Sequence, residues 1–164
     1  KGNRYSVPDH LVGRHVDVQI SSDTLRIYSE GHLIAEHPRH YGSREWIITI
    51  EHYLETFRRK PGALPGSAAL AGRTLLKELY QEYFENRVRE FIELLSYCHE
   101  HSISDDQLSE AVTRLETTGI SAITVEHLTA LLGNQSKQDV TIPDDSTTTQ
   151  LALSQLEQQA ALFN

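Results

Sequence analysis

Apolar and polar residues alternate along the first fifty positions. In Arg14-His15-Val16-Asp17-Val18-Gln19-Ile20, Val16, Val18 and Ile20 fall on one face and Asp17 and Gln19 on the other. That period of two predicts a half-buried strand. Ser22-Asp23 marks a turn, and residues 24–28 resume the alternation with Leu25 and Ile27 inward. Glu30-Gly31 suits a tight hairpin, residues 33–37 return as the next strand, and Pro38 ends it because proline brings no N–H to a ladder. Residues 5–7 and 46–50 are the natural flanking strands. Three short strands cannot bury a face by themselves, so the pattern predicts closure into a small antiparallel β-barrel.

The period then changes. Residues 53–59 read as a short helix ending in Arg58-Arg59-Lys60, and Pro61-Gly62-Ala63-Leu64-Pro65-Gly66 reads as a linker. From Ser67 to about His101 apolar residues recur in steps of three and four (Leu70, Leu75, Leu76, Leu79, Tyr83, Phe84, Val88, Phe91, Ile92, Leu95), predicting one long amphipathic helix with Gly72 as its weak point. Ser104-Asp105-Asp106-Gln107 has the form of a capping box, opening a helix to about Thr118 that Gly119 ends. A third helix starts at Thr124-Val125-Glu126-His127 and closes at Leu132, with Gly133 as its stop. Residues 134–149 are polar and aperiodic, the composition of a flexible tether. Residues 150–163 regain an amphipathic pattern through Leu151, Leu153, Leu156, Leu162 and Phe163. That segment either docks a protein partner or packs back on its own bundle. The fold class is thus α+β: a small N-terminal antiparallel β-barrel with trailing helix and linker (1–66), an all-α acidic helical module (67–133) and a flexible tail (134–164).

Charge sharpens this division. Residues 1–65 carry nine Lys/Arg against eight Asp/Glu and six of the nine histidines; residues 66–164 carry six against fifteen, giving the net charge of -8. Only the first part can approach a phosphate backbone without strong repulsion. At 164 residues the chain suits one ordinary domain or two small ones. Apolar runs are only a few residues long and no secretory signal opens the chain, so a membrane span is excluded. The lone Cys98 favours a reducing compartment, here the cytoplasm. No Met occurs at position 1 or anywhere else, which predicts a fragment or a processed piece.

Three kinds of chemistry are suggested by particular residues. Cys98, His99 and His101 lie close together, but zinc needs about four converging ligands and no second pair has suitable spacing. His37 and His40 fare no better. Cys98 sits on a helical stripe as a packed hydrophobe rather than an attacking thiolate, and no nucleophile elbow, phosphate loop or dinucleotide fingerprint occurs. DNA contact survives. Arg39-His40-Tyr41-Gly42-Ser43-Arg44 forms a loop with two guanidinium groups and a flexible glycine, and Arg58, Arg59 and Lys60 add three cations at a helix end. Arg39, His40, Arg44, Arg58, Arg59 and Lys60 are the candidate phosphate contacts; the alternative is a solvated basic surface paired to neighbouring glutamates.

Tyr5-Ser6-Val7-Pro8, Leu11-Val12-Gly13-Arg14, Val16-Asp17-Val18, Leu25-Arg26-Ile27-Tyr28 and Ile34-Ala35-Glu36-His37-Pro38-Arg39 follow one another in the chain. In that order they resemble the C-terminal part of a bacterial insertion-sequence transposase of the IstA type, related to phage Mu transposase. His52-Tyr53-Leu54 and Arg59-Lys60-Pro61-Gly62-Ala63-Leu64 are similar to the segment leaving that family's barrel. Leu108-Ser109-Glu110-Ala111-Val112 with Gly119-Ile120-Ser121-Ala122-Ile123-Thr124-Val125 is similar to its helical end. The resemblance covers about residues 4–133. It implies a DDE-type transposase whose catalytic carboxylates and divalent metal lie in a core before Lys1. No acidic residue here takes that role, so these residues imply no catalysis and no cofactor of their own. The implied function is to brace transposon-end DNA and other transposase subunits in the paired-end complex. The implied partner is an AAA+ ATPase of the IstB type, met by the helical module and the tail residues Leu151, Leu153, Leu156, Leu162 and Phe163. The rival expectation is a protein-interaction adaptor with no DNA contact.

Overall fold

The computed structural model describes residues 2–120 and 122–138. The chain divides into two compact units, Lys1–Leu132 and Gly133–Asn164, and the account below concerns the first. The tail residues Leu151, Leu153, Leu156, Leu162 and Phe163 lie outside the described residues.

Three strands, β2 (Asp17–Ile20), β3 (Thr24–Ser29) and β4 (His32–Pro38), form an antiparallel sheet in the order β2-β3-β4. The β3–β4 loop is Glu30-Gly31, with φ of 51° and 82°. Two successive positive φ values make the hairpin turn whose twist matches the strands. Directly paired residues share a face, so Val18↔Ile27↔Ala35 and Ile20↔Leu25↔His37 form two rows on one side. Leu25, Ile27, Ala35 and His37 are buried, and Tyr5, Val7, Val16 and Ile34 pack against the apolar three.

The expected barrel does not close. β1 (Arg4–Tyr5) and β5 (Trp46–Ile47) pair with each other, in parallel, as a separate two-stranded ribbon. Among the described residues no strand covers the outer edge of β2. Val18 and Ile20 therefore point to the predicted face and stay solvent-exposed, at 49% and 61%. Alternation fixes which face a side chain takes; burial also needs a neighbour, and the sheet stops one strand short.

The helical part begins earlier than the composition suggests. A 3₁₀ turn at Ile50–Tyr53 leads into α1 (Leu54–Arg59), and Ile50, Leu54 and Phe57 are buried in the same core as the later helices. The expected linker is a pinned corner: Pro61–Ala63 forms a 3₁₀ turn and Leu64 is fully buried. One long helix was expected next, and four pieces take its place. These are α2 (Ala68–Ala71), α3 (Thr74–Leu79), a π-helical turn at Tyr80–Phe84 and α4 (Val88–Glu100). Ser67 caps α2, its Oγ accepting the Leu70 N–H at 3.1 Å, and the first break falls at Gly72-Arg73. The wider π turn re-phases the stripe so that Tyr80, Phe84 and Phe91 cluster, with centroids 5.3 and 5.5 Å apart. Arg87 closes the second break, donating to the carbonyls of Tyr83 (2.6 Å) and Ile123 (2.8 Å).

α5 (Asp105–Thr117) opens on the predicted capping box. The Ser104 N–H donates to Gln107 Oε1 at 2.9 Å, and the Gln107 N–H donates to Ser104 Oγ at 3.3 Å. Gly119, at φ 79°, turns the chain out of it. α6 (Val125–Gln138) buries Leu128 and Leu132 and continues through Gly133, the expected stop. A glycine inside a helix loses only about 1 kcal/mol, and no proline follows within the helix to end it. Residues 134–138 of the expected tether thus belong to α6.

Candidate nucleic-acid interface

The six predicted DNA contacts fall in two places. Arg39, His40 and Arg44 lie on the loop from β4 to β5, and Arg58, Arg59 and Lys60 lie at the C-terminal end of α1. Arg39 and His40 line one cavity and Arg58 lines two others, and none of these three cavities holds residues of both sets.

Their surroundings differ. Arg58 sits 3.7 Å from Glu100 and Arg59 3.2 Å from Glu55, and all four side chains are largely exposed. These are the glutamate pairs that the alternative reading expects, though exposed pairs hold only about 0–1 kcal/mol each and exchange readily. In the loop, Arg39 has no carboxylate partner. Its Nη1 donates to the Ser21 carbonyl at 2.9 Å, and its guanidinium lies 4.9 Å from the Tyr41 ring centre. His40 Nδ1 lies 3.0 Å from Glu45 Oε2. Arg44 adopts φ 66°, a left-handed backbone that turns the loop back towards β5.

Pairing of two distant segments shapes this loop. β1 lies against β5 with Arg4↔Trp46 and Tyr5↔Ile47 in register. The Arg4 guanidinium stands 4.5 Å from the Trp46 ring centre. Asn3 clamps the loop from both sides, donating from Nδ2 to the His40 carbonyl (2.8 Å) and accepting the Glu45 N–H on Oδ1 (3.1 Å). The Tyr5 hydroxyl accepts the His40 N–H at 3.0 Å. Among the described residues, Arg14, Arg26, Arg58, Arg59, Arg73, Arg87 and Arg114 each meet a carboxylate. Arg89 on α4 does not, and neither do Arg4, Arg39 and Arg44, which belong to this loop and its clamp. Tyr41 and Trp46 are 73% and 64% exposed beside them. Arg4 and Trp46 escaped the sequence reading because their meeting depends on a parallel pairing across some forty residues; Tyr41 was inside the loop but carried no signal beyond its hydroxyl.

A polar junction supports the loop from below. Ser6 is buried; its Oγ accepts the Thr49 N–H at 2.9 Å and lies 2.8 Å from His52 Nδ1. Its carbonyl accepts from His37 Nε2 at 2.7 Å, and the His37 and His52 rings meet edge-on at 5.5 Å. Burial first, then the neighbouring His37, lowers the His52 pKa from 6.5 to about 4. Neutral His52 carries one ring hydrogen, and its tautomer sets which partner donates between Ser6 Oγ and His52 Nδ1. Asp9 Oδ2 accepts the Thr56 N–H at 2.6 Å, fastening the start of the chain to α1.

The other cavities are structural in character. One of about 320 Å³ is lined by Glu51, Arg73, Cys98, His99 and Asp105 among others, and Arg73 on its wall bridges Glu51 (3.5 Å) and Asp105 (2.5 Å). Burial, then Asp105 and Glu51, pushes the Cys98 thiol up to about 11. His101 stacks on Tyr97 at 4.0 Å. No three His, Cys, Asp or Glu side chains are placed to hold a metal ion among the described residues. No described helix is long and apolar enough to cross a membrane.

Comparison with known proteins places this architecture in a class. Residues 1–49 match the family model of the Mu transposase C-terminal domain. Over 150 residues the chain is 32% identical to the transposase for insertion sequences IS1326/IS1353 of Pseudomonas aeruginosa, covering 84% of this chain and 28% of that protein. It is 31% identical over 107 residues to a transposase of Aminobacter aminovorans, covering 60% of this chain and 21% of that protein. It is 47% identical over 53 residues to the transposase for insertion sequence element IS21 of Pseudomonas aeruginosa, covering 32% and 14%. No solved structure matches. Both comparisons support a C-terminal part of an insertion-sequence transposase, and the chain spans about 28% of the length of the first relative.

Proposed function

We propose that this chain is a non-catalytic C-terminal region of a DNA transposase that braces transposon-end DNA and neighbouring subunits and docks an AAA+ ATPase helper of the IstB type. What supports the DNA-facing half is the gathering of Arg4, Arg39 and Arg44 around one clamped loop without a carboxylate partner. Arginines free of carboxylates are available to phosphate oxygens, and such contacts position a protein without reading sequence. Arg58, Arg59 and Lys60 form a secondary patch that must first release Glu100 and Glu55. The acidic balance of residues 66–164 favours a basic partner surface, since complementary charge speeds encounter and selects partners. Catalysis, on this reading, belongs to other parts of the transposase.

The test is binding of this chain to labelled transposon-end DNA across about 50 to 200 mM salt, where a few phosphate contacts predict a steep linear fall of log affinity with log salt. Arg39→Ala/Arg44→Ala should flatten that slope and weaken binding. Absence of binding at low salt, together with an unimpaired full-length transposase carrying the double substitution, overturns the DNA role in favour of the adaptor reading. Removal of residues 134–164 should abolish ATPase association if the tail is the docking element, and leave it intact if the helical module is.

A further inference from the structure

Beside the clamped loop an open groove of about 430 Å³ runs between the sheet and residues 39–42, lined by Tyr5, Ile20, Leu25, Arg39, His40 and Tyr41 among others. Its size falls in the ~300–1,000 Å³ range of small-ligand clefts. The floor is apolar: Ile20 is 61% exposed and Leu25 lies beside it in the next strand. One wall is the Tyr41 ring, 73% exposed, with Arg39 against one face. Hydrogen bonds to successive carbonyls of the β2–β3 turn hold both side chains in place: Arg39 donates to Ser21, and the Tyr41 hydroxyl donates to Ser22. The loop carboxylate, Glu45, is occupied by His40 at 3.0 Å. A Cβ at Gly42 would meet only the carboxylate end of the Glu45 side chain, which is exposed and can move aside.

Paired duplex DNA offers phosphates to Arg39 and Arg44 but nothing flat and apolar for the groove. An apolar peptide offers the second and not the first. An unpaired nucleotide offers both at once, a π-face for Tyr41 and Ile20 and flanking phosphates for the arginines. Resting on the DNA-contact reading above, we propose that this groove receives one unpaired nucleotide of the transposon-end DNA, its base stacked on Tyr41 over Ile20 and Leu25 and its backbone against Arg39. The loop would then select DNA that is locally unpaired, since a base already out of the stack enters without the energy needed to extrude it.

The experiment compares three labelled substrates by fluorescence anisotropy with the full 164-residue chain: a paired transposon-end duplex, the same duplex with one unpaired thymidine, and one with an abasic residue at that position. The unpaired thymidine should bind about tenfold tighter than the paired duplex, the order of one base–aromatic stack, and the abasic version should lose the gain. Tyr41→Ala should abolish the ratio of unpaired to paired affinity, while Tyr41→Phe, which keeps the ring, should retain it. Trp46, the only tryptophan and the first residue of β5 after the loop, should be quenched most by the unpaired substrate. Equal affinity for all three substrates, with binding still dependent on Arg39 and Arg44, overturns this inference and leaves the DNA reading standing. Tyr41→Ala weakening all three alike also overturns it, because that marks a purely structural ring. Binding of none of them at low salt overturns both.

Discussion

Acidification should loosen the junction beneath the loop, and His52 sets the window. Its ring takes a proton at about 4 when folded and at 6.5 ordinarily, because burial and the adjacent His37 disfavour the cation. Unfolded chains therefore bind a proton between those values that folded chains refuse, so stability is greatest above about pH 6.5 and falls as pH drops towards 4. The full gap corresponds to about 3 kcal/mol, of which about 2 kcal/mol would be lost by pH 5. His52 is partly solvent-accessible, and screening reduces the expected loss at pH 5 to about 1 kcal/mol. Protonated His52 carries a hydrogen on both ring nitrogens, so Ser6 Oγ would have to accept from Nδ1 as well as from the Thr49 N–H. Urea unfolding followed by circular dichroism at about pH 7.5 and pH 5 measures the effect, and carboxylate titration is removed by comparison with His52→Asn, which keeps a side-chain acceptor but cannot titrate. The variant should lose about 1 kcal/mol less than the parent between the two pH values. Identical pH dependence in both, or a His52 pKa at or above 6.5 by NMR, would refute the reasoning.

Two further outcomes follow from the cavity beside α5. Arg73→Ala should destabilise the chain by about 1–2 kcal/mol in urea unfolding, because Glu51 Oε2 is already buried without a partner and the substitution would leave its carboxylate beside Asp105 with no cation between them; an unchanged midpoint would contradict this. Cys98 should react with a disulfide reagent near neutral pH about a hundredfold more slowly than an ordinary thiol, since its pKa rises from 9.0 to about 11, and the rate should climb with pH through the alkaline range; a fast, pH-flat reaction would show an exposed thiolate instead.

Features set by a few neighbouring residues were legible in the sequence. The Glu30-Gly31 hairpin, the Ser104–Gln107 capping box and the Ser67 cap each depend on contacts within a handful of positions, and all three form. The break near Gly72 is likewise local. The second break was hidden, because Tyr80, Phe84 and Phe91 keep steps of three and four whether the turn between them is α or π. Gly133 read as a stop because glycine favours C-terminal caps, yet no second signal followed it. Closure of the sheet was illegible for a different reason: Val18 and Ile20 show the alternation of a buried face, and nothing in their spacing reveals whether another strand arrives. His37 stood out only as a poor metal partner of His40 and His52 only within a resembling segment, since their meeting depends on Ser6, more than thirty residues away in sequence. Within the candidate interface the loop 39–44 was found from composition, whereas Arg4 and Trp46 needed the β1–β5 pairing to enter.

The open edge of β2 has a consequence for handling the molecule. Proteins that keep such an edge solvent-facing usually guard it with lysine, proline or a bulge, and Asp17-Val18-Gln19-Ile20 carries none of these, only one acidic residue at its start. Two copies meeting there can exchange main-chain hydrogen bonds while hiding Val18 and Ile20 from water. Concentrated preparations of the isolated piece are thus expected to clump through this strand, well below any threshold set by the helices, whose outward faces are dense in charge.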